Sequence, residues 1–319
     1  MTRYWLQIGL VGLGAGLCSA LLVASLLSGS VLSIALFYLA PLPILIAALG
    51  WSHWAGLAAA AMAAVALGLS FDRFFLLIFP IGVGLPAWWL GYLALLARPQ
   101  GPDGELEWYP VGRIVLWSAV MSAVLIAAAL TQFGGDAETI RATFLAAFRR
   151  MIAEQMHVAT PDAATETIIG AVVIVLPAAA AALTTMTQLF NLWLAGRIVR
   201  ISGRLRRPWP DLADTRFPSA TTVALAALFG ASFVPGTVGM FAQLPTASLL
   251  LAYAVVGCAV MHAITRRLPG ARIVLLAGMY AMIAVLGWPI LFAALLGLID
   301  VALDLRHRFA MRGPPAPTA

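Results

Sequence analysis

The chain has 319 residues, of which 62% are hydrophobic and only 10% charged, and its mean hydropathy is +0.98. Soluble domains carry about 25% charged residues, so a water-facing exterior is excluded, and many apolar runs exceed the roughly 18 residues needed to cross a bilayer. The net charge of +6 comes from 19 basic residues that are all arginine. A chain without lysine has no Walker-type phosphate loop, and arginines gathered in particular loops follow membrane orientation rather than nucleic-acid binding.

Ten apolar segments follow one another: 6–27, 31–50, 54–70, 74–96, 112–132, 167–194, 219–240, 245–264, 272–287 and 288–304. The third, ninth and tenth are short, so the expected fold is an all-α polytopic transmembrane helix bundle with about 8–10 membrane helices. With a cytoplasmic N-terminus and ten crossings, 15 arginines fall inside and 4 outside. That asymmetry predicts that both termini are cytoplasmic.

The first segment follows Met1-Thr2-Arg3 with no small-residue cleavage site, which predicts a retained helix rather than a signal peptide. It carries Gly12, Gly16 and Ala20 at four-residue spacing, continued by Ala24. This stripe of small residues permits close helix packing, by default within the chain and alternatively against another subunit. Pro41 and Pro43 in the second segment, Pro80 and Pro86 in the fourth, and Pro177 in the sixth predict kinks or breaks. Gly82 and Gly84 reinforce the fourth. A broken membrane helix frees backbone groups that line a cavity; the plainer reading is a packing kink. Asp72-Arg73 reads as a local ion pair at the interface.

Residues 97–111 hold Pro99, Gly101, Pro102 and Gly104 and read as a turn-rich cytoplasmic loop. The insert 134–166 lies outside. Within it Ile140, Phe144, Phe148, Met151, Ile152 and Met156 recur at helical spacing, opposite Glu138, Arg141, Arg149, Arg150 and Glu154. That pattern predicts an amphipathic helix on the outer membrane surface or capping the bundle.

Gln188 and Asn191 lie near the cytoplasmic end of the sixth segment, and polar residues three apart on a membrane helix hydrogen-bond across helices. The basic loop 197–217 follows, with Arg197, Arg200, Arg204, Arg206, Arg207 and Arg216. Its expected partners are anionic lipid headgroups. The last segment ends on Asp300 and Asp304, one helical turn apart, with Arg308 a turn further. Asp304 and Arg308 are spaced to pair. An acid as deep as Asp300 needs a partner or a task. By depth its expected partners are Asn191 and Arg197, which makes it an inter-helix latch first and a coupling or ligand residue second. Residues 1–312 are expected to form a single transmembrane domain, and 313–319 a disordered tail.

Cys18 and Cys258 sit in apolar stretches and read as buried thiols. The four histidines, His53, His157, His262 and His307, are not at ligand spacing from one another. No metal site, cofactor, nucleophile elbow or His-Glu-x-x-His motif is expected, and no enzyme activity is assigned.

Three features together resemble the YybS-like family of bacterial membrane proteins. They are the stretch Asn191-Leu192-Trp193-Leu194-Ala195-Gly196-Arg197 with its basic continuation, the outside amphipathic insert, and Gly297-x-x-Asp300 before an arginine-rich end. The likeness runs over nearly the whole chain. That family is considered distantly similar to the substrate-binding S components of energy-coupling-factor vitamin transporters. The resemblance implies a small-molecule site near the outer face and docking on a coupling subunit through Gly12, Gly16, Ala20 and Ala24. The expected function is therefore a small-molecule-binding or transport-associated subunit of a bacterial inner membrane, without its own ATPase. The alternative is a non-transporting scaffold or assembly protein acting through the arginine-rich loop. A binding subunit should enclose a cavity open to the outside beneath residues 136–157.

Overall fold

The computed structural model describes residues 2–100, 105–156, 162–266, 268 and 270–306. Thirteen α-helices dominate it: α1 Thr2–Ala24, α2 Val31–Tyr38, α3 Pro41–Gly50, α4 His53–Ser70, α5 Phe75–Phe79, α6 Leu85–Leu95, α7 Val111–Leu130, α8 Ala137–Met156, α9 Ala163–Ile201, α10 Ala220–Ala231, α11 Thr237–Thr265, α12 Arg272–Leu286 and α13 Ile290–Leu303. Among the described residues, seven stretches are long and apolar enough to cross a membrane: Arg3–Ser28, Val31–Gly50, His53–Ser70, Phe75–Leu95, Val111–Leu130, Ala163–Ile201 and Thr237–Thr265. Three further apolar helices, α10, α12 and α13, have 12, 15 and 14 residues. At 1.5 Å per residue they reach only about 20 Å, short of the ~30 Å hydrocarbon layer. The chain is an integral, multi-pass, almost wholly helical membrane protein.

Two boundaries differ from the sequence expectation, and a third, at Gly287, agrees with it. The loop at 97–111 holds a small antiparallel hairpin, β1 Ala97–Gln100 with β2 Glu105–Trp108, in which Ala97 faces Trp108 and Gln100 faces Glu105. The segment expected at 219–240 ends at Ala231. Gly236, at φ +79°, turns the chain there, and residues 237–240 join α11 instead. Gly287, at φ +71°, separates α12 from α13. Both turns use a backbone conformation that costs side-chain-bearing residues energy, so glycine chooses the site.

Contacts divide the chain into two compact units. The first comprises residues 1–121 and 184–210, the second 122–183 and 211–319. Helices α7 and α9 contribute their two ends to different units.

In the first unit α1 lies on α4. A Cβ on Gly12 would come within 2.6 Å of Ala58 Cβ, and one on Gly16 within 2.6 Å of Ala59 O. Ala20, further along the same stripe, is buried. The stripe therefore serves packing inside the chain, which sequence alone left open between an internal and an external partner. Ile44, Leu45, Leu67 and Leu90 form the centre of this unit's core.

In the second unit α11 is central and α13 lies against it, while α8 contributes Ile140 and Phe144 to a cluster with Leu130, Met240 and Leu244. The start of α8 is pinned twice. Thr237 Oγ1 accepts from Ala137 N at 3.1 Å, and Asp136 accepts from Thr139 N at 2.9 Å and from Thr139 Oγ1 at 3.0 Å. The Thr139 backbone N–H, then its hydroxyl, hold the Asp136 carboxyl below the usual carboxylate range. A depressed pKa places this cap's contribution above the ordinary aspartate value, and it is lost as pH falls through the depressed one. Protection of the amides in the first turn of α8, measured against their intrinsic exchange rates, is accordingly expected to fall in acid, and Asp136→Ala to show the same low protection already at pH 7. Equal protection in variant and parent at pH 7 would remove the cap's role.

Candidate functional site

The prolines of the second and fourth segments act where they are expected to. Pro41 and Pro43 have no N–H to give, so the helix breaks between α2 and α3, and the chain there switches to tight three-residue bonds, Ala40 N to Phe37 O and Leu42 N to Leu39 O. The break leaves carbonyls for side chains from other helices. Ser19 Oγ donates to Ala40 O at 2.6 Å, and Asn191 Nδ2 donates to Tyr38 O at 2.8 Å. In the fourth segment Pro80–Gly84 forms a π-turn between α5 and α6. Such turns arise where a helix accommodates an extra residue, often at functional sites.

The two breaks share a cavity of about 140 Å³. Phe37, Tyr38, Pro41 and Leu45 line it from the first break, and Gly82, Val83, Pro86, Ala87 and Leu90 from the second. The third wall is α9, with Thr184, Thr187 and Gln188. Every lining residue belongs to the first unit, and none is charged.

Gln188 is 5% exposed. Its Oε1 accepts from Ser118 Oγ at 3.0 Å, while its Nε2 is buried without a hydrogen-bond partner. One turn further, Asn191 is fully buried. It spends both N–H groups on Tyr38 O and Thr187 O, each at 2.8 Å, and leaves Oδ1 unpartnered. A buried amide group without a partner costs about 1–3 kcal/mol. Of these two residues Gln188 lines the cavity, beside Tyr38, Thr184 and Thr187, and Asn191 lies one turn along the same helix.

The other polar residues singled out by sequence find different company. Asp300 is 4% exposed and pairs within its own unit. Its Oδ2 accepts from Arg306 Nη2 at 2.6 Å and Nε at 2.9 Å, and its Oδ1 accepts from Arg306 N at 3.1 Å. Arg306 Nη1 continues to Ala213 O at 2.6 Å. The expected partners of Asp300, Asn191 and Arg197, are engaged elsewhere: Arg197 lies 5.5 Å from the ring centre of Trp209. Asp304 caps α13 in a left-handed conformation, φ 49°, and its carboxylate meets Arg216 at 3.4 Å. Arg308, its expected partner, lies outside the described residues, as does the tail 313–319. Arg306 was missed because six residues is not a helical spacing. Only the left-handed turn at Asp304 folds it back, and an aspartate at a helix end is a weak signal for that turn.

The basic loop is organised rather than free. Arg197 and Arg200 flank Trp209, Arg204 stacks on Trp51 at 4.5 Å, and Arg207 donates to Ala94 O and Tyr109 O at 3.2 and 2.9 Å. Burial nonetheless pulls the Arg207 pKa below the usual guanidinium value. Beneath α8, where a ligand cavity was expected, Ile140 and Phe144 pack into the apolar cluster with Met240 and Leu244. That region is core because the inward stripe of α8 supplies the side chains that fill it. Among the described residues no three of His, Cys, Asp and Glu converge to hold a metal ion.

A family model described as "Predicted membrane protein (DUF2232)" matches residues 16–301. The chain belongs to the DUF2232 family. The match spans both proline breaks, the amide-bearing end of α9, the basic loop and Asp300. No curated protein and no solved structure matches the chain. Membership of DUF2232 therefore agrees with a multi-pass membrane protein and leaves its activity to be argued from the site.

Proposed function

We propose that the chain is a small-molecule-binding, transport-associated subunit of a bacterial inner membrane, and that its ligand enters the cleft at the two helix breaks. The observation that carries this reading is the cleft itself. Two neighbouring proline-broken segments open a cavity against a helix face that presents a buried, half-satisfied amide. Broken helices at a binding site are a recurrent way to expose backbone and side-chain polar groups inside a membrane. A chain without lysine has no Walker lysine to bind ATP, so for ATP-driven transport a partner subunit would supply the ATPase. In this reading both termini and the basic loop face the cytoplasm, with Arg200 and Arg206 exposed toward anionic headgroups.

A thermal-shift screen of the purified protein against vitamins, metals and lipids tests the proposal. A ligand should raise the unfolding temperature of the native chain and leave Gly82→Trp unmoved. A Cβ at Gly82 meets nothing within 4 Å, so a ring there obstructs the cleft without crowding the core. A screen without hits, or hits that persist in Gly82→Trp, would overturn the assignment of the cleft.

The alternative is a scaffold acting through the loop 197–217. One observation favours it: four arginines are held in fixed positions by Trp51, Trp209 and backbone carbonyls. Arg200→Glu with Arg206→Glu should then release a co-purifying partner while leaving ligand shifts unchanged.

A further inference from the structure

We infer that the cleft selects neutral, mainly apolar molecules of roughly aromatic-ring size that present one hydrogen-bond acceptor oxygen, and that Gln188 is the residue that recognises it. The inference rests on the binding reading above and names the ligand class for that same site. Size comes first. A cavity of about 140 Å³ is close to the ~150 Å³ of engineered apolar cavities that take up benzene, and well below the 300–1,000 Å³ of pockets for larger ligands. Charge comes second. No lining residue is ionisable apart from the Tyr38 phenol, so a charged ligand would lose its hydration or headgroup contacts with no counter-ion to replace them.

Polarity is decided by Gln188. Ser118 occupies its oxygen, so the free end is the N–H2 group, a donor. A hydrocarbon leaves that donor unpaired. That nitrogen is closed off in the unliganded chain, so a carbonyl or ether oxygen satisfies it only once the terminal torsion turns the amide toward the cleft, which also shifts the Ser118 bond. The gain is larger from the membrane than from water, because lipid tails offer a ligand oxygen no donor to give up. Asn191 is tied to Tyr38 O and Thr187 O and keeps α9 in place at this wall; it is a positioning residue.

The test uses a pair of near-isosteric probes, 4-fluoroacetophenone and 1-ethyl-4-fluorobenzene, titrated into the full-length detergent-solubilised protein and followed by fluorine NMR. The ketone should bind saturably and about threefold to tenfold more tightly than the ethyl compound, the range of one net hydrogen bond. Gln188→Leu should bring the two within twofold of each other, while Gly82→Trp should block both. Equal affinities in the native chain would overturn the acceptor-oxygen inference and leave the cleft a binding site. Saturable binding of neither probe to the native chain, or binding undiminished by Gly82→Trp, would instead overturn the cleft as a site. The comparison within the native chain decides the inference even where Gln188→Leu fails to fold.

Discussion

Asp300→Ala is expected to destabilise the protein by about 3–5 kcal/mol, the cost of removing one partner from a buried ion pair. The reason is the arginine that stays behind. Arg306 is 9% exposed and directs its N–H groups at Asp300 and at Ala213 O. Without the carboxylate, a guanidinium charge remains buried against one carbonyl. Asp300→Asn should lie in between, since an amide oxygen still accepts from Arg306 but brings no charge. The double replacement Asp300→Leu with Arg306→Met should recover much of the loss, because it removes both charges together; the remaining deficit is the donor taken from Ala213 O, about 1–3 kcal/mol. Thermal unfolding of the four proteins in one detergent decides the matter. A double variant no better than Asp300→Ala would mean that the charge pair is not the origin of the loss. Should Asp300→Asn keep full stability yet lose a ligand response, the latch would have a functional part after all.

Gly257→Leu and Gly297→Leu should each cost at least the 1–3 kcal/mol typical of overpacking. Helices α11 and α13 meet through these residues: a Cβ on Gly257 would collide with the Ala293 backbone carbonyl, and one on Gly297 with that of Tyr253. A side chain can rotate away from a clash; a carbonyl inside a helix cannot, so the helices must separate along their length. In a membrane little else draws two apolar helices together, because lipid tails solvate them as well as they solvate each other. Gly278→Leu is the control. It lies on α12, where an added Cβ meets nothing within 4 Å, and its unfolding temperature should match the parent's. Equal losses at positions 257, 297 and 278 would show a general effect of replacing glycine instead of contact between α11 and α13.

Much of the architecture was legible in the residues. Runs of apolar residues marked ten segments, and each corresponds to a helix or a pair of helices. Pro41, Pro43, Pro80 and Pro86 announced the two breaks, whereas Pro177 lies inside the continuous α9 and Pro245 inside α11, so a missing N–H permits a break without imposing one. Gly12 and Gly16 announced a close approach, while its partner α4 had to come from the fold. The helix end at Ala231 was illegible by hydropathy, because residues on both sides of Gly236 are equally apolar; Pro235-Gly236, with its positive φ at Gly236, separates α10 from α11.

The candidate site divides the same way. Gln188 and Asn191 stood out as polar residues on a membrane helix, which a solvent without hydrogen-bonding groups makes conspicuous. What each would meet was not encoded at short range. Ser118 is 70 residues from Gln188, and Tyr38 is 153 from Asn191. Asp300 shows the limit most plainly. Its need for a countercharge follows from the sequence alone, because the cost of burying a carboxylate does not depend on the partner's identity. Choosing Arg306 over Arg197 required the left-handed turn at Asp304 and the Ala213 carbonyl waiting beyond it. Local chemistry thus determined that the chain is a multi-pass membrane protein, where its helices can break and which side chains need partners. The tertiary structure alone decided which partners they have and that a cavity opens at the breaks, since those depend on distances between residues far apart in the chain.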